Sequence, residues 1–290
     1  VLIQFVGYGY DKKHGIAQFL ADGIDIWKKK DPRRHLVLMF HELWVTEIPF
    51  WRRTYWLKSS QQQVVSRLLK LSTIAVTSNE HYRSMLAQVN SSAKIQVIPI
   101  GSNFSGAQPS SQRDWRSVSM FGLSRLDTIK MHSKLLKLMS EQRLIDKIVL
   151  AGASRDDSMD KILLKKICPD TPLFTAYNFD SGAIPELLQN CGLAMMNAKS
   201  EVIAKSGRFH FASSLGQVAI ATRSGSPGAP LASGQSFLEY DPDDPNSLLR
   251  HLSDPFELEK IGNQAHVLES TYFSWQEIAK EWSKLLNSLP

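Results

Sequence analysis

The sequence lacks several features that would define its class at once. Its 290 residues include only two cysteines, Cys168 and Cys191, too few for a disulfide framework and typical of a reducing compartment. No apolar run approaches the roughly 18 residues that a membrane-spanning helix needs, and the N-terminus has no signal-peptide pattern. Apolar residues make up 43% and charged residues 21%, which excludes a disordered or collagen-like chain.

Positive charge is distributed unevenly along the chain. Residues 1–100 contain 14 Lys and Arg against 7 Asp and Glu, a net charge of +7, whereas residues 101–290 contain 20 against 21, a net charge of −1. The length predicts two domains, since one domain usually takes roughly 100–200 residues. Domains of such different charge are expected to face different partners. Because Val1 already starts a strand-like run, we expect further residues before it and an incomplete first domain.

Short aliphatic runs alternate with helical patterns over the whole chain, which predicts parallel sheets with right-handed crossovers. The predicted strands are Val1–Val6, His35–Phe40, Thr73–Thr77, Lys94–Pro99, Ser117–Phe121, Lys147–Ala151, Leu173–Thr175, Leu193–Met196, Val218–Thr222 and Ser236–Tyr240. Helical patterns cover 16–29, 60–71, 80–88, 133–141, 156–166, 183–189, 209–215, 246–252 and 274–286. A run rich in Gly, Ser and Pro at 101–112 is the predicted linker.

The predicted fold class is therefore α/β, with two Rossmann-like, doubly wound parallel-sheet domains facing a central cleft. We place the first domain at 1–104 and the second at 113–272. A C-terminal helical segment, 273–290, is expected to pack back toward the first domain. In such sheets ligands bind at the carboxyl ends of the strands, so the loops after the strands are the candidate site.

Two of these loops carry cations just before a helix. The first follows Phe121 and places Arg125 and Lys130 five residues apart. The second is Lys205-Ser206-Gly207-Arg208, whose glycine lets the backbone approach a ligand closely. Cations beside a helix N-terminus favour phosphate, and a diphosphate needs several converging donors. Taken singly, each loop is also explained as a solvated basic loop or an ordinary helix cap.

Several segments carry patterns of one known family. Residues 124–130 resemble a Gly-Arg-Leu-x-x-x-Lys-Gly segment, and 211–222 resemble a Glu-Ala-x-Ala-x-Gly-x-Pro-Val-x-Ala-Thr helix and strand. Residues 97–101 resemble the Val-Ile-Pro-Asn-Gly that closes a first domain, and Phe273-Ser274-Trp275 resembles a C-terminal signature. His41-Glu42 resembles a loop that brings a histidine to the sugar. The family is glycosyltransferase family 4, whose members have the GT-B fold, and the resemblance covers nearly the whole chain.

The resemblance implies transfer of a hexose-type sugar from a nucleoside diphosphate sugar to a glycan or lipid-linked acceptor, as in cell-surface polysaccharide or glycolipid synthesis. It implies retention of configuration, no metal, and no cofactor beyond the nucleotide-sugar co-substrate. The residues implied for each role are Arg125, Lys130, Lys205, Ser206 and Gly207 for the donor diphosphate, Tyr177, Asn178 and Phe179 for the base, and His41 for the sugar or acceptor.

The chain departs from the family at several of these positions. The two glutamates that often surround the donor sugar correspond to Ile203 and Phe211, and Ser124 and Met131 replace two glycines. Two other functions therefore stay open. One is a non-catalytic, degenerate GT-B module that binds glycans or a partner, and the other is a GT-B sugar-nucleotide epimerase.

Metal and other catalytic motifs are weak or absent. Asp241-Pro242-Asp243-Asp244 has the spacing of a metal site, but its turn-rich surroundings favour turn and cap chemistry. The two cysteines have no His or Cys cluster around them, so zinc is not supported. Gly7-x-Gly9 lacks the third glycine of a dinucleotide fingerprint, and no Gly-x-Ser-x-Gly elbow occurs.

The first third also contains an aromatic and basic segment at 48–58, with the sequence Ile-Pro-Phe-Trp-Arg-Arg-Thr-Tyr-Trp-Leu-Lys. Such a composition suits an anionic membrane interface or stacking on single-stranded nucleic acid. The alternative is a helix that packs its aromatic residues on the core. The family resemblance favours the membrane, so we expect a cytoplasmic protein in peripheral contact with the inner face of the plasma membrane, with no nucleic acid as partner.

Overall fold

The computed structural model describes residues 1–46, 49–104, 108–123, 125–152, 158–176 and 183–289. The chain forms two compact units. The first comprises Val1–Pro99 together with Glu281–Pro290, and the second comprises Ile100–Lys280. Each unit has its own parallel sheet. The predicted strands are all present among the described residues, with their ends shifted by a few positions.

The first unit is built on a four-stranded parallel sheet in the order β1-β2-β3-β4. The strands are β1 (Leu2–Phe5), β2 (Val37–Phe40), β3 (Ile74–Thr77) and β4 (Ile95–Val97). The helices are α1 (Gly7–Tyr10), α2 (Gln18–Lys30), α3 (Lys58–Leu71) and α4 (Glu80–Val89), with a 3₁₀ turn at Arg53–Leu57. All four residues of β2 are buried, as expected for a strand covered on both faces.

The second unit contains a six-stranded parallel sheet in the order β10-β9-β8-β5-β6-β7. The strands are β5 (Asp114–Phe121), β6 (Lys147–Ala151), β7 (Leu173–Ala176), β8 (Cys191–Lys199), β9 (Val218–Thr222) and β10 (Leu238–Tyr240). The helices are α5 (Arg125–Met131), α6 (Ser133–Glu141), α7 (Ser158–Ile167), α8 (Ala183–Leu188), α9 (Gly207–Ser214), α10 (Leu249–Leu252) and α11 (Pro255–Thr271). The last helix, α12 (Trp275–Asn287), begins in the second unit and ends in the first. Two 3₁₀ turns lie at Ser200–Lys205 and Pro245–Leu248.

The α/β class and the parallel sheets confirm the prediction from the sequence. The second sheet is doubly wound, because its strand order reverses between β5 and β8. In the first sheet the described strands follow one another in chain order, and no reversal occurs among them. The topological switch point that positions a ligand therefore lies in the second unit.

Helix α11 is the one long element that the apolar pattern does not predict. Its buried residues include Leu258, Ile261 and Ala265, but they lie beside Gly262, which ordinarily weakens a helix. The glycine is required by packing, since a Cβ at Gly262 would lie 2.3 Å from the carbonyl oxygen of Gly216. Close approach of the α11 backbone to the turn after α9 thus explains a glycine that looks like a helix breaker in the sequence.

Two sequence signatures meet at the start of the second unit. A Cβ at Gly101 would lie 2.6 Å from the carbonyl oxygen of Phe273, so only glycine allows this approach. The indole nitrogen of Trp275 donates to the carbonyl oxygen of Ser102 at 2.7 Å. Gly101 and Ser102 therefore pack against Phe273 and Trp275, which lie 172 and 173 residues later in the sequence.

Candidate functional site

The two basic segments predicted from the sequence leave neighbouring strands. Strands β5 and β8 pair in parallel at the switch point, with Val118 opposite Leu193 and Ser119 opposite Ala194. The chain leaves β5 through Gly122 into α5, and it leaves β8 through a 3₁₀ turn into α9. Both segments thus open at the same sheet edge, as predicted, and this edge is the candidate site.

Gly122 makes room for a cation at this edge. Its φ of +102° lies in the region that favours glycine, and its amide donates to the carbonyl oxygen of Ala151 at 3.1 Å. A Cβ at Gly122 would lie 3.2 Å from Cδ of Arg208. Any larger residue at this position would therefore press on the Arg208 side chain.

Arg208 lies between the carboxyl ends of β5 and β8. Its Nη1 donates to the carbonyl oxygen of Phe121 at 3.4 Å and its Nη2 to that of Asn197 at 3.5 Å. Bonds of this length are weak. The side chain is half-buried, and burial lowers the pKa of its guanidinium. Arg208 belongs to the Lys205–Arg208 segment that the sequence predicts to bind phosphate. The sequence pattern alone does not show that Arg208, and not Lys205, lies at the centre of this edge.

The start of α9 supplies backbone donors beside Arg208. Ser206 caps the helix, since its Oγ accepts from the amide of Phe209 at 3.3 Å. Gly207 and Arg208 occupy the first helical turn, where amide N–H groups have no partner within the helix. A Cβ at Gly207 would lie 3.8 Å from Nδ2 of Asn103, which places a side-chain amide near the same backbone. A helix start of this kind favours an anion.

The segment after β5 is helical from Arg125, which corrects the prediction that Arg125 and Lys130 lie in a loop before a helix. Thr128 and Ile129 are buried together with Arg125, so one face of α5 packs inward. Arg125 is not at the surface: its Nε donates to the Asp160 carboxylate at 3.0 Å, and Nη1 donates to the carbonyl oxygens of Gly122 and Ala151. Lys130 is exposed in the last turn of α5. Their roles at a diphosphate stay predictions.

His132, which the sequence did not single out, ties the end of α5 to β8. Its ring is fully buried, and burial lowers its pKa to about 4, so it is neutral at pH 7. Nε2 therefore carries the proton and donates to the carbonyl oxygen of Met196 at 2.9 Å. The ring also lies 5.2 Å from that of Tyr240. The buried His132 thus holds the end of α5 against β8.

A second buried histidine fixes the turn before α9. His210 is fully buried, with Nδ1 2.8 Å from Oε2 of Glu269 and Nε2 2.9 Å from the carbonyl oxygen of Ala204. Its ring also lies 4.7 Å from that of Phe273. Ala204 belongs to the 3₁₀ turn that leads into Lys205, which is half-buried. His210 and Glu269 therefore connect the basic segment to α11.

Aromatic side chains fill the crevice behind Arg208. Phe211, at one of the positions where the family has glutamate, is buried and lies 4.3 Å from Phe104 and 5.3 Å from Phe121, measured between ring centroids. The cavity beside them measures only ≈ 10 Å³. An anion at this edge would therefore meet Arg208 and α9 above an apolar floor.

His41 lies in the first unit, at the carboxyl end of β2. Its amide donates to the carbonyl oxygen of Phe5 at 3.0 Å, and its Nε2 contacts Oε1 of Gln4. It thus ends a strand as predicted, and its role toward a sugar stays a prediction. Tyr177, Asn178 and Phe179, predicted to contact the base, lie outside the described residues.

The Asp-rich segment is a turn. Asp241 accepts from the amide of Asp243 at 2.9 Å and from the guanidinium of Arg223 at 3.0 Å. Within the part of the chain that the structure describes, no three His, Cys, Asp or Glu side chains form a group that could hold a metal ion. The hydrogen bond from the Asp243 amide to Asp241 agrees with the turn that the sequence predicts.

The chain is similar in fold to several solved structures. No protein-family model and no curated protein sequence matches the chain. Sucrose-phosphate synthase from Thermosynechococcus elongatus is 16% identical with a TM-score of 0.66, over 91% of this chain and 70% of that one. Anabaena HepE solved with UDP is 16% identical with a TM-score of 0.65, over 94% and 77%. WaaG, a glycosyltransferase of lipopolysaccharide biosynthesis, is 12% identical with a TM-score of 0.60, over 93% and 82%.

The chain has the GT-B fold. This confirms the fold predicted from the sequence, while membership of glycosyltransferase family 4 stays a prediction. At sequence identities of 12–16%, the similarity to these structures shows the fold alone. Among the described residues, no helix combines the length and the apolar character needed to cross a membrane.

Proposed function

We propose that the protein is a glycosyltransferase that takes its sugar from a nucleoside diphosphate sugar. The observation that carries the proposal is the position of Arg208 and the α9 start at the switch point of the second sheet. In open α/β sheets this is where ligands bind, and cations with free helix N–H groups select phosphate. A neighbour of the same fold was solved with UDP, which supports a uridine or related nucleotide as the donor.

The proposed roles follow from this placement. Arg208, Lys205, Lys130 and the backbone amide of Gly207 neutralise the diphosphate, on which negative charge grows as the sugar leaves. Ser206 holds the helix start in position through its cap. The family resemblance also assigns Arg125 to the diphosphate. In this proposal Arg125 holds the same sheet edge in place by donating a hydrogen bond to the carbonyl oxygen of Gly122.

The remaining assignments extend the same proposal. His41 faces the sugar or the acceptor, residues 177–179 supply the wall for the base, and the reaction retains configuration without a metal ion. The acceptor is a glycan or a lipid-linked saccharide of cell-surface polysaccharide or glycolipid synthesis. The protein works in the cytoplasm, in peripheral contact with the inner face of the plasma membrane. These assignments rest on the family resemblance and on the excess of cations in the first unit.

Calorimetric titration with UDP, GDP and their hexose conjugates tests the donor site. Arg208→Ala should weaken the affinity for the preferred nucleotide by about tenfold or more, as expected when a charge-assisted hydrogen bond is lost. Arg250→Ala removes an exposed arginine of α10 in the same unit and should leave the affinity unchanged. Absence of binding by the wild-type protein at millimolar nucleotide, or equal affinities of the two variants, would contradict the proposal.

A non-catalytic module of the same fold is the second candidate. The observation that favours it is Phe211, which packs on Phe104 where a glutamate of the family faces the donor. Such a protein would bind a nucleotide or a glycan without turnover. Release of free nucleotide from a sugar conjugate in the presence of acceptor would exclude it, whereas interconversion of sugar isomers without acceptor would indicate an epimerase.

A further inference from the structure

A separate pocket lies in the first unit, between the segments that follow β1 and β2. Its volume is ≈ 390 Å³, and it is lined by Lys13, His14, Arg53, Thr54 and Leu57. Three of these five side chains are basic and none is acidic. A guanidinium, an ammonium group, an imidazole and a hydroxyl around one cavity are donors that suit a phosphate group.

The loop that carries Lys13 and His14 is held by its own hydrogen bonds. The Asp11 carboxylate accepts from the amides of Lys13, His14 and Ile16 at 3.1, 3.2 and 3.0 Å. These bonds, that from Ile16 foremost, lower the pKa of the Asp11 carboxyl, so it stays ionised in this role at neutral pH. The loop therefore presents its basic side chains from a fixed turn.

A buried glutamine joins this loop to the segment after β2. Nε2 of Gln61 donates to the carbonyl oxygen of His14 at 2.7 Å, and its Oε1 accepts from the amide of Val45 at 2.9 Å. Gln61 is only 2% exposed, so its bonds are shielded from water. Gln61, on the helix that follows the Arg53–Leu57 turn, therefore holds the His14 side of the pocket to α3.

The cations of the pocket keep their charge available. Neither Lys13 nor Arg53 forms an ion pair or side-chain hydrogen bond with any residue that the structure describes. The Asp11 carboxylate lies 3.9 Å from Nδ1 of His14 and is already bonded to three amides. A cavity with unneutralised cations attracts an anion more strongly than a surface of paired charges.

Exposed aromatic side chains flank the pocket on the same segment. Trp51 and Trp56 are each 72% exposed, and Phe50 and Tyr55 also point to solvent. This excludes the alternative, left open by the sequence, that these rings pack on the core. Four exposed aromatic rings within seven residues form an apolar patch of the kind that soluble surfaces avoid and membrane interfaces use.

We propose that this pocket binds the phosphate group of an anionic lipid, while Trp51 and Trp56 insert into the bilayer beside it. The cavity has room for a headgroup phosphate, and the adjoining rings have the amphipathic character of interfacial anchors. Nucleic acid fits less well, since its backbone needs a groove of successive cations, whereas this pocket places only Lys13 and Arg53 beside His14. This proposal rests on the peripheral membrane contact of the proposed function and specifies the lipid group that is bound. It does not depend on the donor site.

Vesicle co-sedimentation of the whole chain tests this site. Vesicles of phosphatidylcholine alone are compared with vesicles of equal parts phosphatidylcholine and phosphatidylglycerol. The variant Lys13→Gln with Arg53→Gln should lose about thirtyfold in partition to the anionic vesicles, given roughly 1 kcal/mol for each of two basic residues near such a surface. The matched control, Lys30→Gln with Arg33→Gln, removes the same charge from exposed positions of the same unit. The logarithm of its partition coefficient should fall by less than half as much.

Two further measurements test the lipid site, one on the tryptophans and one on nucleotide affinity. Trp51→Ser with Trp56→Ser should weaken binding and abolish the blue shift of tryptophan emission on anionic vesicles. Equal losses in the pocket variant and its control would overturn the proposal, as would equal partition of the wild-type protein to the two kinds of vesicle. Nucleotide affinity of the pocket variant, measured in parallel, should equal that of wild type, which separates failure here from failure of the donor site.

Discussion

Arg125 and Asp160 form an ion pair inside the second unit. Nε of the arginine lies 3.0 Å from Oδ2 of the aspartate, and the two side chains are only 3% and 8% exposed. The same guanidinium donates to the carbonyl oxygens of Gly122 and Ala151, at the ends of β5 and β6. The pair thus joins α5, α7 and two strand ends directly beneath the candidate site.

Replacing Arg125 by alanine should unfold the second unit more readily than replacing an exposed arginine. The change leaves the Asp160 carboxylate buried without its partner, which typically costs about 3–5 kcal/mol. Urea unfolding measures the loss. Arg116→Ala is the matched control, because Arg116 pairs with Asp146 at the half-exposed surface, where about 0–1 kcal/mol is expected. An Arg125→Ala variant that keeps full stability but no longer binds nucleotide would assign Arg125 to the diphosphate instead.

The stability of the second unit should fall in mild acid because of His132. Burial lowers its folded-state pKa to about 4, whereas an unfolded histidine titrates near 6.5. Between these values the unfolded state binds the proton and the folded state does not, so stability is lost as pH falls through this range. The expected loss from this residue is about 2 kcal/mol at pH 5.

Urea unfolding at pH 7 and pH 5 checks the His132 prediction. His132→Gln removes the titrating group, so the difference in unfolding free energy between the two pH values should shrink by about 2 kcal/mol relative to wild type. His251→Gln is the control, since His251 is half-exposed beside Glu257. An unchanged pH dependence in His132→Gln would mean that other groups cause it.

The contact between His210 and Glu269 should matter for the donor site as well as for stability. Both ring nitrogens of His210 face oxygen atoms, of Glu269 and of the Ala204 carbonyl. Glu269→Leu removes the first partner and should cost about 1–3 kcal/mol and loosen the turn that carries Lys205. Glu269→Gln keeps a hydrogen bond to Nδ1 and should stay near wild type. Nucleotide affinity that is equal in the two variants would show that the contact stabilises the fold without positioning the basic segment.

The strands could be predicted from the sequence because parallel strands buried on both faces leave short aliphatic runs, such as Val37–Phe40. Helix α11 could not, since Gly262 is explained only by the approach of Gly216 from another element. The helical start at Arg125 was also missed, because its buried face depends on a partner, Asp160, 35 residues away.

The candidate site could likewise be predicted only in part from the sequence. The pattern of small and basic residues before α9 identified the sheet edge, since helix starts and strand ends are local features. It did not rank Arg208 over Lys205, because the position of Arg208 depends on Gly122 and on the pairing of β5 with β8. Exposure of Trp51 and Trp56 was equally beyond the pattern, since a core helix and an interfacial segment have the same composition.

Gly122 offers the most selective test of the donor site. Alanine at this position meets a φ of +102° and places its Cβ 3.2 Å from Cδ of Arg208, so the arginine must shift. Gly234→Ala is a matched control, since its φ is +76° but no heavy atom lies within 4 Å of the added Cβ. Both variants should lose about 1–2 kcal/mol of unfolding free energy from backbone strain. Only Gly122→Ala should also lose nucleotide affinity, by about fivefold or more, because only there does the Cβ displace Arg208, the cation that we propose to bind the diphosphate. Calorimetry on both variants measures the difference, and equal affinities would place the nucleotide away from Arg208.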